Sequence, residues 1–560
     1  MTDADTRAKR PARPAASYSH GVTRPAMLDA TIGDALAETA RRFGDRPALV
    51  ARGQGIRLTY AELDAEARRV ARALIAAGLK PGDRLGIWSP NRVEWAIVQY
   101  ATAKAGIILV TINPAYRAHE LAYALRQSGM TMLIAARAFK GSDYVAMAAE
   151  ARDATGDLRS VVHFDDPSWD ELCAGADAVS DEELDARGAA LSPRDPINIQ
   201  YTSGTTGYPK GATLSHRNIL NNGYFVGEGC RLSEHDRICV PVPYYHCFGM
   251  VMGNLAAITH GACVVLPSEA FEPLAVLEAV QEERCTVLYG VPTMFIAELE
   301  HPRFGEFDLS TLRTGIMAGS PCPEQVMRKV IDRMHMAQVT ICYGMTETSP
   351  VSTQTGADDD IEHRTATVGA VHPHVEVRVA DPQTGETVPR GEPGELLTRG
   401  YSVMLGYWDD PERTELAIDP EGWMHTGDQA VMQDDGYLRI VGRIKDMIIR
   451  GGENVYPREI EEFLYLHAEV ADVQVVGVPD DRWGEEVCAW IVPREGATID
   501  ADSVRTFCEG RIAHYKIPRY VLSTADFPMT VTGKVRKVEL RERAVAQLGL
   551  RPDGGGSGAA

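Results

Sequence analysis

The sequence predicts an α/β protein that consists of a large N-terminal domain and a small α+β C-terminal domain. From about residue 30 to 345, short apolar runs alternate with helical patterns, which is typical of βαβ units that form parallel sheets with helices outside. After about residue 365, strand patterns separated by Gly and Pro indicate an antiparallel or barrel-like subdomain. The last ~100 residues again mix helical and strand patterns, over a length that can fold alone.

The alternating region begins with a helical pattern over residues 60–77 that ends near Gly78. A short apolar run follows at residues 84–88, and its length favours a buried strand. The same alternation continues to residue 342. We predict further helices at residues 95–105, 249–258, 273–283 and 323–334, and further strands at residues 107–112, 197–201, 237–242, 263–266, 286–289, 314–318 and 339–342.

The predicted antiparallel part contains a hairpin. Residues 429–433 and 437–441 have strand patterns on either side of Asp434-Asp-Gly436, a turn composition that is typical of hairpins. In the C-terminal part, Pro457 suits the first turn of a helix, and Glu459 lies where the helix dipole favours an anion. The other predicted elements are strands at residues 375–379, 394–398, 473–478 and 487–492 and helices at residues 457–467 and 502–512.

The composition of the 560-residue chain excludes several classes of protein. A net charge of −21 disfavours binding to nucleic acid and to anionic membranes. No apolar run reaches the ~20 residues that a transmembrane helix needs. The 10 cysteines contain no C-x-x-C pair, so they suggest neither a zinc site nor a disulfide framework, and a reducing compartment fits them best. We therefore expect a cytoplasmic protein without a transmembrane segment.

Both ends of the chain have the composition of tails. The basic residues near the N-terminus lie among Pro and Ala without an apolar core, so residues 1–27 are predicted to be a disordered tail and not a secretory signal. A transit peptide is the alternative, and Asp3 and Asp5 argue against it. The Gly-rich segment at residues 547–560 is predicted to be a flexible tail.

The most informative segment is Tyr201-Thr-Ser-Gly-Thr-Thr-Gly-Tyr-Pro-Lys-Gly211. Its glycines allow a ligand to approach the backbone closely, and the freed N–H groups of such a loop attract anions. Four hydroxyl side chains and Lys210 add donors and a positive charge. The spacing does not match a Walker A loop, because Gly211 follows the lysine. The segment therefore predicts a phosphate-binding loop, and a solvated linker is the less favoured alternative after a strand.

A second loop, Tyr343-Gly-Met-Thr-Glu-Thr348, follows the strand predicted at residues 339–342. Ligands of α/β sheets bind at the carboxyl ends of the strands, so this loop is predicted to reach the same site. Glu347 suits Mg²⁺, which takes one or two carboxylates together with phosphate oxygens. The alternative is a turn with an exposed glutamate.

Four further segments carry candidate residues. Gly319-Ser-Pro-Cys-Pro323 ends a strand, and its backbone suits a flat base, although a plain turn fits equally well. Asp428 and Arg443 flank the predicted hairpin, where both can reach one ligand, although an isolated aspartate in a turn is usually a surface residue. Arg450-Gly-Gly-Glu-Asn454 permits close passage of a thin ligand or forms a flexible turn. Lys534 ends the motif Thr530-Val-Thr-Gly-Lys534.

These segments, taken in this order, resemble the motifs of the adenylate-forming (AMP-binding) superfamily, which includes acyl-CoA synthetases, luciferases and peptide-synthetase adenylation domains. The resemblance extends from roughly Leu28 to Val545. Within the superfamily, residues 287–295, 312–319 and 343–350 are similar to the medium-chain and fatty acyl-CoA synthetase branch.

The resemblance implies the roles of the candidate residues. Lys534, Thr202 and Glu347 are the implied catalytic residues, with Glu347 as the Mg²⁺ ligand, and Thr346 contacts the α-phosphate. Tyr343 stacks near the adenine, and Asp428 and Arg443 hold the ribose. The implied ATP-binding set is Thr202, Ser203, Gly204, Thr205, Thr206, Gly207, Lys210, Gly319, Ser320, Pro321, Tyr343, Gly344, Thr346, Asp428, Arg443 and Lys534.

The resemblance also implies the domains and the remaining subsites. An N-terminal AMP-binding domain at residues 28–444 is followed by a C-terminal domain at residues 445–546, with Lys445 as the hinge. Gly451 and Gly452 line the tunnel for CoA. The implied acyl pocket contains His246, Val291 and Met345, and the absence of an aspartate between residues 240 and 255 argues against an amino-acid substrate.

The implied activity is an ATP-dependent acid–thiol ligase that converts a fatty or related hydrophobic carboxylic acid into acyl-AMP and then acyl-CoA, with Mg²⁺ as the cofactor and ATP and CoA as co-substrates. One alternative is an adenylating enzyme that loads a carrier protein. Another is a nucleotide-binding regulator without turnover. The sequence defines neither the chain length of the acid nor the oligomeric state.

Overall fold

The computed structural model describes residues 15–155, 158–202, 209–320, 322–451, 453–529 and 535–551. The described chain has two large sheets of mainly parallel strands, an antiparallel sheet and a separate C-terminal sheet. Strands up to Leu438–Arg443 belong to the first three sheets, except for Ala138–Phe139 and Ser142–Asp143, which pair only with each other. Strands from Ile448–Arg450 onward belong to the C-terminal sheet. The predicted α/β class with a large and a small domain is therefore confirmed.

The first large sheet has seven strands. The five strands from Pro196–Thr202 to Ser160–His163 at the sheet edge are parallel. Lys210–Ser215 runs antiparallel beside Pro196–Thr202. This arrangement places the two ends of the predicted phosphate loop side by side. The order of the strands is Gly406–Tyr407, Lys210–Ser215, Pro196–Thr202, Ile108–Thr111, Arg84–Trp88, Met132–Ala135 and Ser160–His163.

The second large sheet has nine strands, with a parallel centre and antiparallel pairs at both edges. Its central strands Cys263–Leu266, Val287–Gly290 and Thr314–Ala318 are wholly buried, which explains why they appear in the sequence as short continuous apolar runs. The order is Ala370–Val371, Val351–Gln354, Gln338–Gly344, Thr314–Ala318, Val287–Gly290, Arg237–Cys239, Cys263–Leu266, Pro47–Ala51 and Ile56–Thr59.

Helices cover and join these sheets. Helix Val93–Ala105 is buried on nearly all sides and packs against helices Ile32–Phe43 and Tyr60–Ala76, as expected of a helix that is apolar all round. Helix Tyr60–Ala76 starts at a capping box formed by Thr59 and Glu62. The other helices of this part are Ala118–Ser128, Tyr144–Thr155, Pro167–Ala174, Asp181–Ala189, His216–Gly229, Ala256–His260, Pro273–Glu282, Pro292–Leu299, Glu324–Arg333, Ile361–Ala366 and Pro411–Ala417.

The third sheet is antiparallel and contains the predicted hairpin, in which Met432 pairs with Leu438 across the turn. In the described part of the chain its pairings form an open series and not a closed barrel. The order of its strands is Tyr18–His20, Val375–Ala380, Pro393–Gly400, Met424–Met432 and Leu438–Arg443.

The C-terminal sheet packs against helix Pro457–Leu464 and helix Lys537–Leu548. Helix Ala501–Cys508 completes this α+β unit. Its long central pair, Val470–Asp480 with Gly484–Pro493, is antiparallel, and Tyr520–Ser523 adds a parallel edge. The remaining strands of the sheet are Ile448–Arg450 and Glu453–Val455.

Three further sequence expectations are corrected by the structure. The predicted N-terminal tail is structured from residue 15, because Tyr18–His20 pairs with the distant strand Val375–Ala380, and residues 1–14 lie outside the described chain. The predicted C-terminal tail begins inside helix Lys537–Leu548. The predicted helix at residues 249–258 is a π-helix, Phe248–Leu255, continued by a short α-helix.

None of the helices in the described ranges combines the length and apolarity that a membrane span requires.

Candidate active site

The site is a cleft of about 1210 Å³ that is lined by residues of the two large sheets and of the antiparallel sheet. It lies where strands Pro196–Thr202, Thr314–Ala318 and Gln338–Gly344 reach their carboxyl ends, the usual ligand position in α/β sheets. The antiparallel sheet contributes residues 424–428, and Arg536 of the C-terminal unit also lines the cleft. A ligand in this cleft therefore contacts elements that are far apart in the sequence.

Glu347 is the buried carboxylate of the cleft. It lies on the one-turn helix Thr346–Thr348, whose Thr346 also lines the cleft. The Tyr407 hydroxyl donates to Glu347 Oε1 at 2.8 Å, and Thr202 Oγ1 lies 3.4 Å from the same oxygen. Within the described residues, no Lys, Arg or His nitrogen lies within 4.0 Å of this carboxylate. A buried carboxylate without a protein cation is suited to an exogenous cation.

Lys210 supplies a positive charge next to Tyr407, on the ring whose hydroxyl contacts Glu347. Its ammonium lies 4.8 Å from the centre of the Tyr407 ring, within cation–π range. Burial and the adjacent Glu347 raise the pKa of Tyr407, so its phenol remains a hydrogen-bond donor. This end of the cleft thus offers the Glu347 carboxylate to a cation and the Lys210 ammonium to an anion.

A second cluster joins Tyr343, Asp428 and Arg443. Asp428 and Arg443 face each other in the register of the hairpin, and Arg443 Nε lies 3.2 Å from Asp428 Oδ1. The Tyr343 hydroxyl donates to Asp428 Oδ2 at 2.7 Å. Burial and the Asp428 charge raise the pKa of Tyr343. The structure therefore brings these three residues together at one place in the cleft.

Two glycines allow the backbone to shape this part of the cleft. Gly319 has φ of +92°, a left-handed conformation that favours glycine. A side chain at Gly344 would begin 1.8 Å from the Pro350 carbonyl oxygen. Both glycines line the cleft. Ser320, which was predicted to bind ATP, is not among the described residues that line it.

The apolar wall of the cleft contains His246, Phe248, Met252, Met345 and Val351. Phe248 and Met252 come from the π-helix, and π-helical segments are frequent at functional sites. This wall lacks one member of the predicted acyl pocket. Val291 is buried behind Gly319, with its Cγ1 3.2 Å from the position where a Gly319 side chain would begin, and it is not among the described lining residues.

The segment after the hairpin connects the cleft to the C-terminal sheet. Lys445 lies on the one-turn helix Ile444–Asp446 and lines the cleft. Burial and the neighbouring Arg443 charge lower the pKa of Lys445. Gly451, predicted to line a CoA tunnel, lies against Trp483 of the C-terminal unit, and its N–H donates to the Trp483 carbonyl at 2.8 Å.

Several predicted site residues lie outside the described residues, and their positions are therefore left as sequence predictions. They are Ser203, Gly204, Thr205, Thr206, Gly207, Pro321, Gly452 and Lys534.

Tyr407 is the functional residue that sequence reasoning missed. It lies on the two-residue strand Gly406–Tyr407, paired with the strand that carries Lys210. This pairing brings its hydroxyl to Glu347, although 60 residues separate the two in the chain. A two-residue strand has no periodic pattern, so the sequence offered no signal for this contact.

The fold and the cleft define a two-domain nucleotide-binding enzyme class. A family profile described as "AMP-binding enzyme" matches residues 36–408, and one described as "AMP-binding enzyme C-terminal domain" matches residues 459–534. The chain belongs to this AMP-binding enzyme family.

Relatives in the same family cover nearly the whole chain. YngI of Bacillus subtilis (strain 168), named as an acyl-CoA synthetase, is 49% identical over 94% of this chain and 99% of its own length. A medium-chain acyl-CoA ligase of Danio rerio, ACSF2, is 46% identical over 95% of this chain and 91% of its own length. The crystal structure of ATP-bound MatB from Rhodopseudomonas palustris superposes with a TM-score of 0.78 at 31% identity, covering 92% of this chain and 99% of that one.

Proposed function

We propose that the protein is an ATP-dependent acyl-CoA ligase that activates a medium-chain fatty acid or a related hydrophobic carboxylic acid. The observation that carries the proposal is one cleft that combines Glu347, the Tyr343–Asp428–Arg443 cluster and an apolar wall. The names of the relatives support an acyl-CoA product, and the ATP-bound MatB structure supports ATP as the nucleotide.

The donor set around Glu347 fits Mg²⁺. The ion takes one or two protein carboxylates and completes its octahedron with water and phosphate oxygens. One buried carboxylate with no described cation beside it matches that need, and the hydroxyl groups of Tyr407 and Thr202 fix its orientation. When bound, Mg²⁺ neutralises phosphate charge, and Glu347 is the residue that would hold it.

The first half-reaction forms acyl-AMP. An oxygen of the substrate carboxylate attacks the α-phosphorus of ATP, and the bond from that phosphorus to the leaving pyrophosphate breaks. The chain contributes position and charge: Asp428 and Arg443 orient the ribose, and Lys210 together with Thr202 faces the phosphates. Lys534 is proposed to stabilise the charge that develops on the α-phosphate.

The second half-reaction forms the thioester. The sulfur of CoA attacks the acyl carbon, the bond to the AMP oxygen breaks so that AMP leaves, and the thiol proton passes to solvent. We propose domain boundaries at residues 28–444 and 445–546, with Lys445 as the hinge and residues 451–452 beside the CoA path. The change of sheet between Leu438–Arg443 and Ile448–Arg450 supports this boundary. Rotation about such a hinge exchanges the groups that complete a site.

The apolar wall supports an acid whose tail is aliphatic or aromatic, and not one whose tail carries a second charge. Phe248, Met252 and Val351 are each almost fully buried, and they line the cleft without a described carboxylate among them. We propose a cytoplasmic location, which the ten buried free cysteines support.

The experiment is pyrophosphate release across carboxylic acids of 2 to about 18 carbons and aryl acids, with and without CoA, and with products identified by mass. We expect acyl-CoA, AMP and pyrophosphate in the presence of CoA, with the highest activity for medium-chain acids. Acyl-AMP that passes only to a carrier protein would instead establish the carrier-loading alternative. Absence of AMP production with every acid would identify a regulator.

Two variants test the roles within this function. Lys534→Ala should abolish pyrophosphate release, whereas Lys329→Ala, at an exposed lysine outside the cleft, should retain it. Normal release by Lys534→Ala would remove that residue from the mechanism. Lys445→Pro should retain acyl-AMP formation and slow thioester formation, and the opposite pattern, or no effect, would contradict the hinge.

A further inference from the structure

A π-helix carries part of the apolar wall of the cleft. Phe248–Leu255 is buried throughout its 8 residues, and its Phe248 and Met252 line the cleft. A π-helix is rare and usually only one turn long, so a segment of this length needs support from neighbouring elements. Two buried glutamines provide that support.

The first glutamine is Gln99 on helix Val93–Ala105. Its amide nitrogen donates to the Met250 carbonyl at 3.2 Å, and its amide oxygen accepts from Asn254 Nδ2 at 2.8 Å. Met250 and Asn254 are four residues apart and therefore share one side of the helix. The Tyr100 hydroxyl adds a bond to the Asn254 carbonyl at 3.3 Å. Helix Val93–Ala105 thus binds the π-helix at two positions.

The second glutamine is Gln200 on strand Pro196–Thr202. Its amide oxygen accepts from the N–H and from the thiol of Cys247, both at 3.1 Å, directly before the π-helix begins. Its amide nitrogen lies 2.9 Å from Met250 Sδ. Gln200 therefore fixes the start of the π-helix to a strand of the first large sheet.

The amides of Gln99, Gln200 and Asn254 form one buried network behind the apolar wall. Their side chains belong to residues that are only 3%, 2% and 1% exposed, and none of the three is among the described residues that line the cleft. A buried amide costs stability unless it is hydrogen-bonded, and leucine or methionine would fill the same space without that cost. The described bonds of Gln99 and Gln200 all lead to the π-helix or to the residue before it, so the network fixes the course of that backbone.

The course of this backbone decides how Phe248 and Met252 are placed relative to each other. In an α-helix an N–H bonds to the carbonyl four residues earlier, whereas here the Ala256 N–H donates to the Val251 carbonyl, five residues earlier. A return to α-helical pairing would rotate the residues after the change relative to those before it. Met252 would then move relative to Phe248, and the apolar space beside them would change.

We propose that Gln99 and Asn254 determine which length of acyl tail the cleft accepts, because they hold Phe248–Leu255 in its π-helical form. The inference rests on the proposed function in taking the apolar wall as the site of the acyl tail. Gln99 and Asn254 are positioning residues, since they bond to the helix and to each other and act on the substrate through Phe248 and Met252.

The first test measures kcat/KM in pyrophosphate release for straight-chain acids of about 4 to 16 carbons, together with KM for ATP. One methylene group in an apolar pocket changes kcat/KM by about tenfold or more. Gln99→Met removes both amide bonds at similar side-chain length, so it should change the ratio of kcat/KM between short and long acids by about tenfold or more, with KM for ATP unchanged. Asn254→Leu should change the ratio in the same direction. The two substitutions together should change it by less than the product of the single effects, because they remove a shared bond.

Asn221→Leu is the matched control. Asn221 is a fully buried amide that bonds to the N–H and the carbonyl of Leu28, it does not line the cleft, and no described hydrogen bond joins it to the π-helix. This variant should lose stability without a change in the chain-length ratio. An unchanged ratio in Gln99→Met would overturn the proposal, and so would an equal change in Asn221→Leu.

Tyr100→Phe decides the question if Gln99→Met does not fold. It loses only the hydroxyl that donates to the Asn254 carbonyl and keeps the ring in place. A shift of the chain-length ratio in the direction seen for Asn254→Leu would support the proposal, and an unchanged ratio would overturn it.

The second test is a crystal structure of Gln99→Met, which does not depend on activity. We expect residues 248–255 to adopt α-helical pairing over at least one turn, and an intact π-helix would overturn the proposal. The ligase proposal fails if the unsubstituted protein releases pyrophosphate with no acid. The present proposal fails if the protein is active and the substitutions leave both the ratio and the π-helix unchanged, so the two failures are distinguishable.

Discussion

Replacement of Tyr407 by phenylalanine removes one hydroxyl from the cleft and leaves the ring in place. The hydroxyl donates to Glu347 Oε1 at 2.8 Å, whereas the other described donor to that oxygen, Thr202, lies at 3.4 Å, near the limit of a hydrogen bond. The phenylalanine ring can still support the ammonium of Lys210. The substitution therefore tests the orientation of Glu347 almost alone.

The expected magnitude follows from these contacts. A hydrogen bond to a charged group contributes about 1.5–3 kcal/mol, and partners that orient a metal-binding carboxylate typically change metal affinity by about 10–100-fold. We therefore expect Tyr407→Phe to need about 10–100-fold more Mg²⁺ for half-maximal pyrophosphate release. The assay is a Mg²⁺ titration of that release at saturating ATP and acid.

Tyr244→Phe is the matched control. The Tyr244 side chain is fully buried, its hydroxyl has no hydrogen-bond partner among the described residues, and it does not line the cleft. This variant should show the Mg²⁺ requirement of the unsubstituted protein. An unchanged requirement in Tyr407→Phe would refute the reasoning that Tyr407 orients a metal-binding Glu347.

Three other predictions concern the nucleotide site and the core. Asp428→Asn loses the ion pair with Arg443, so KM for ATP should rise about tenfold while KM for the acid stays constant in steady-state assays, and an equal rise of both would contradict the ribose role. Gly344→Ala places a methyl group 1.8 Å from the Pro350 oxygen, so nucleotide binding should be lost in calorimetry while circular dichroism is unchanged; normal binding would show that the loop can move. Burial raises the pKa of Glu298 far above its ordinary value, so the folded chain holds a proton that the unfolded chain loses above about pH 4.3. The unsubstituted protein therefore loses stability as pH rises above that value. The Tm of Glu298→Gln should exceed that of the unsubstituted protein by an amount that grows from about pH 5 to about pH 8. A difference in Tm that stays constant over this range would exclude a buried protonated carboxyl.

The sequence predicted best those elements whose signal is local. Strands Arg84–Trp88, Cys263–Leu266 and Thr314–Ala318 have the predicted bounds, because each is a short apolar run buried on both faces. The hairpin before Arg443 was also predicted from its turn residues. The strand predicted at residues 237–242 ends earlier, at Cys239, because prolines at positions 241 and 243 cannot donate to a neighbouring strand.

Features that depend on distant partners could not be predicted. Strand Tyr18–His20 is too short to show a strand pattern in the sequence. It forms because its backbone pairs with the edge of the distant strand Val375–Ala380. The contact between Tyr407 and Glu347 likewise depends on how two sheets meet. Among the site residues, the grouping of Tyr343 with Asp428 and Arg443 came from motif order, and the structure adds the hydrogen bond that joins them.

All ten cysteines of the chain are free and buried, and burial raises the pKa of Cys322 to about 12. Thiol reagents attack the thiolate and need access to it, so the native sulfur atoms are poor targets. A cysteine introduced on the surface of each domain would then be the preferred site for a maleimide dye. A donor–acceptor pair attached in this way would report the distance between the domains during turnover, with every native cysteine left in place.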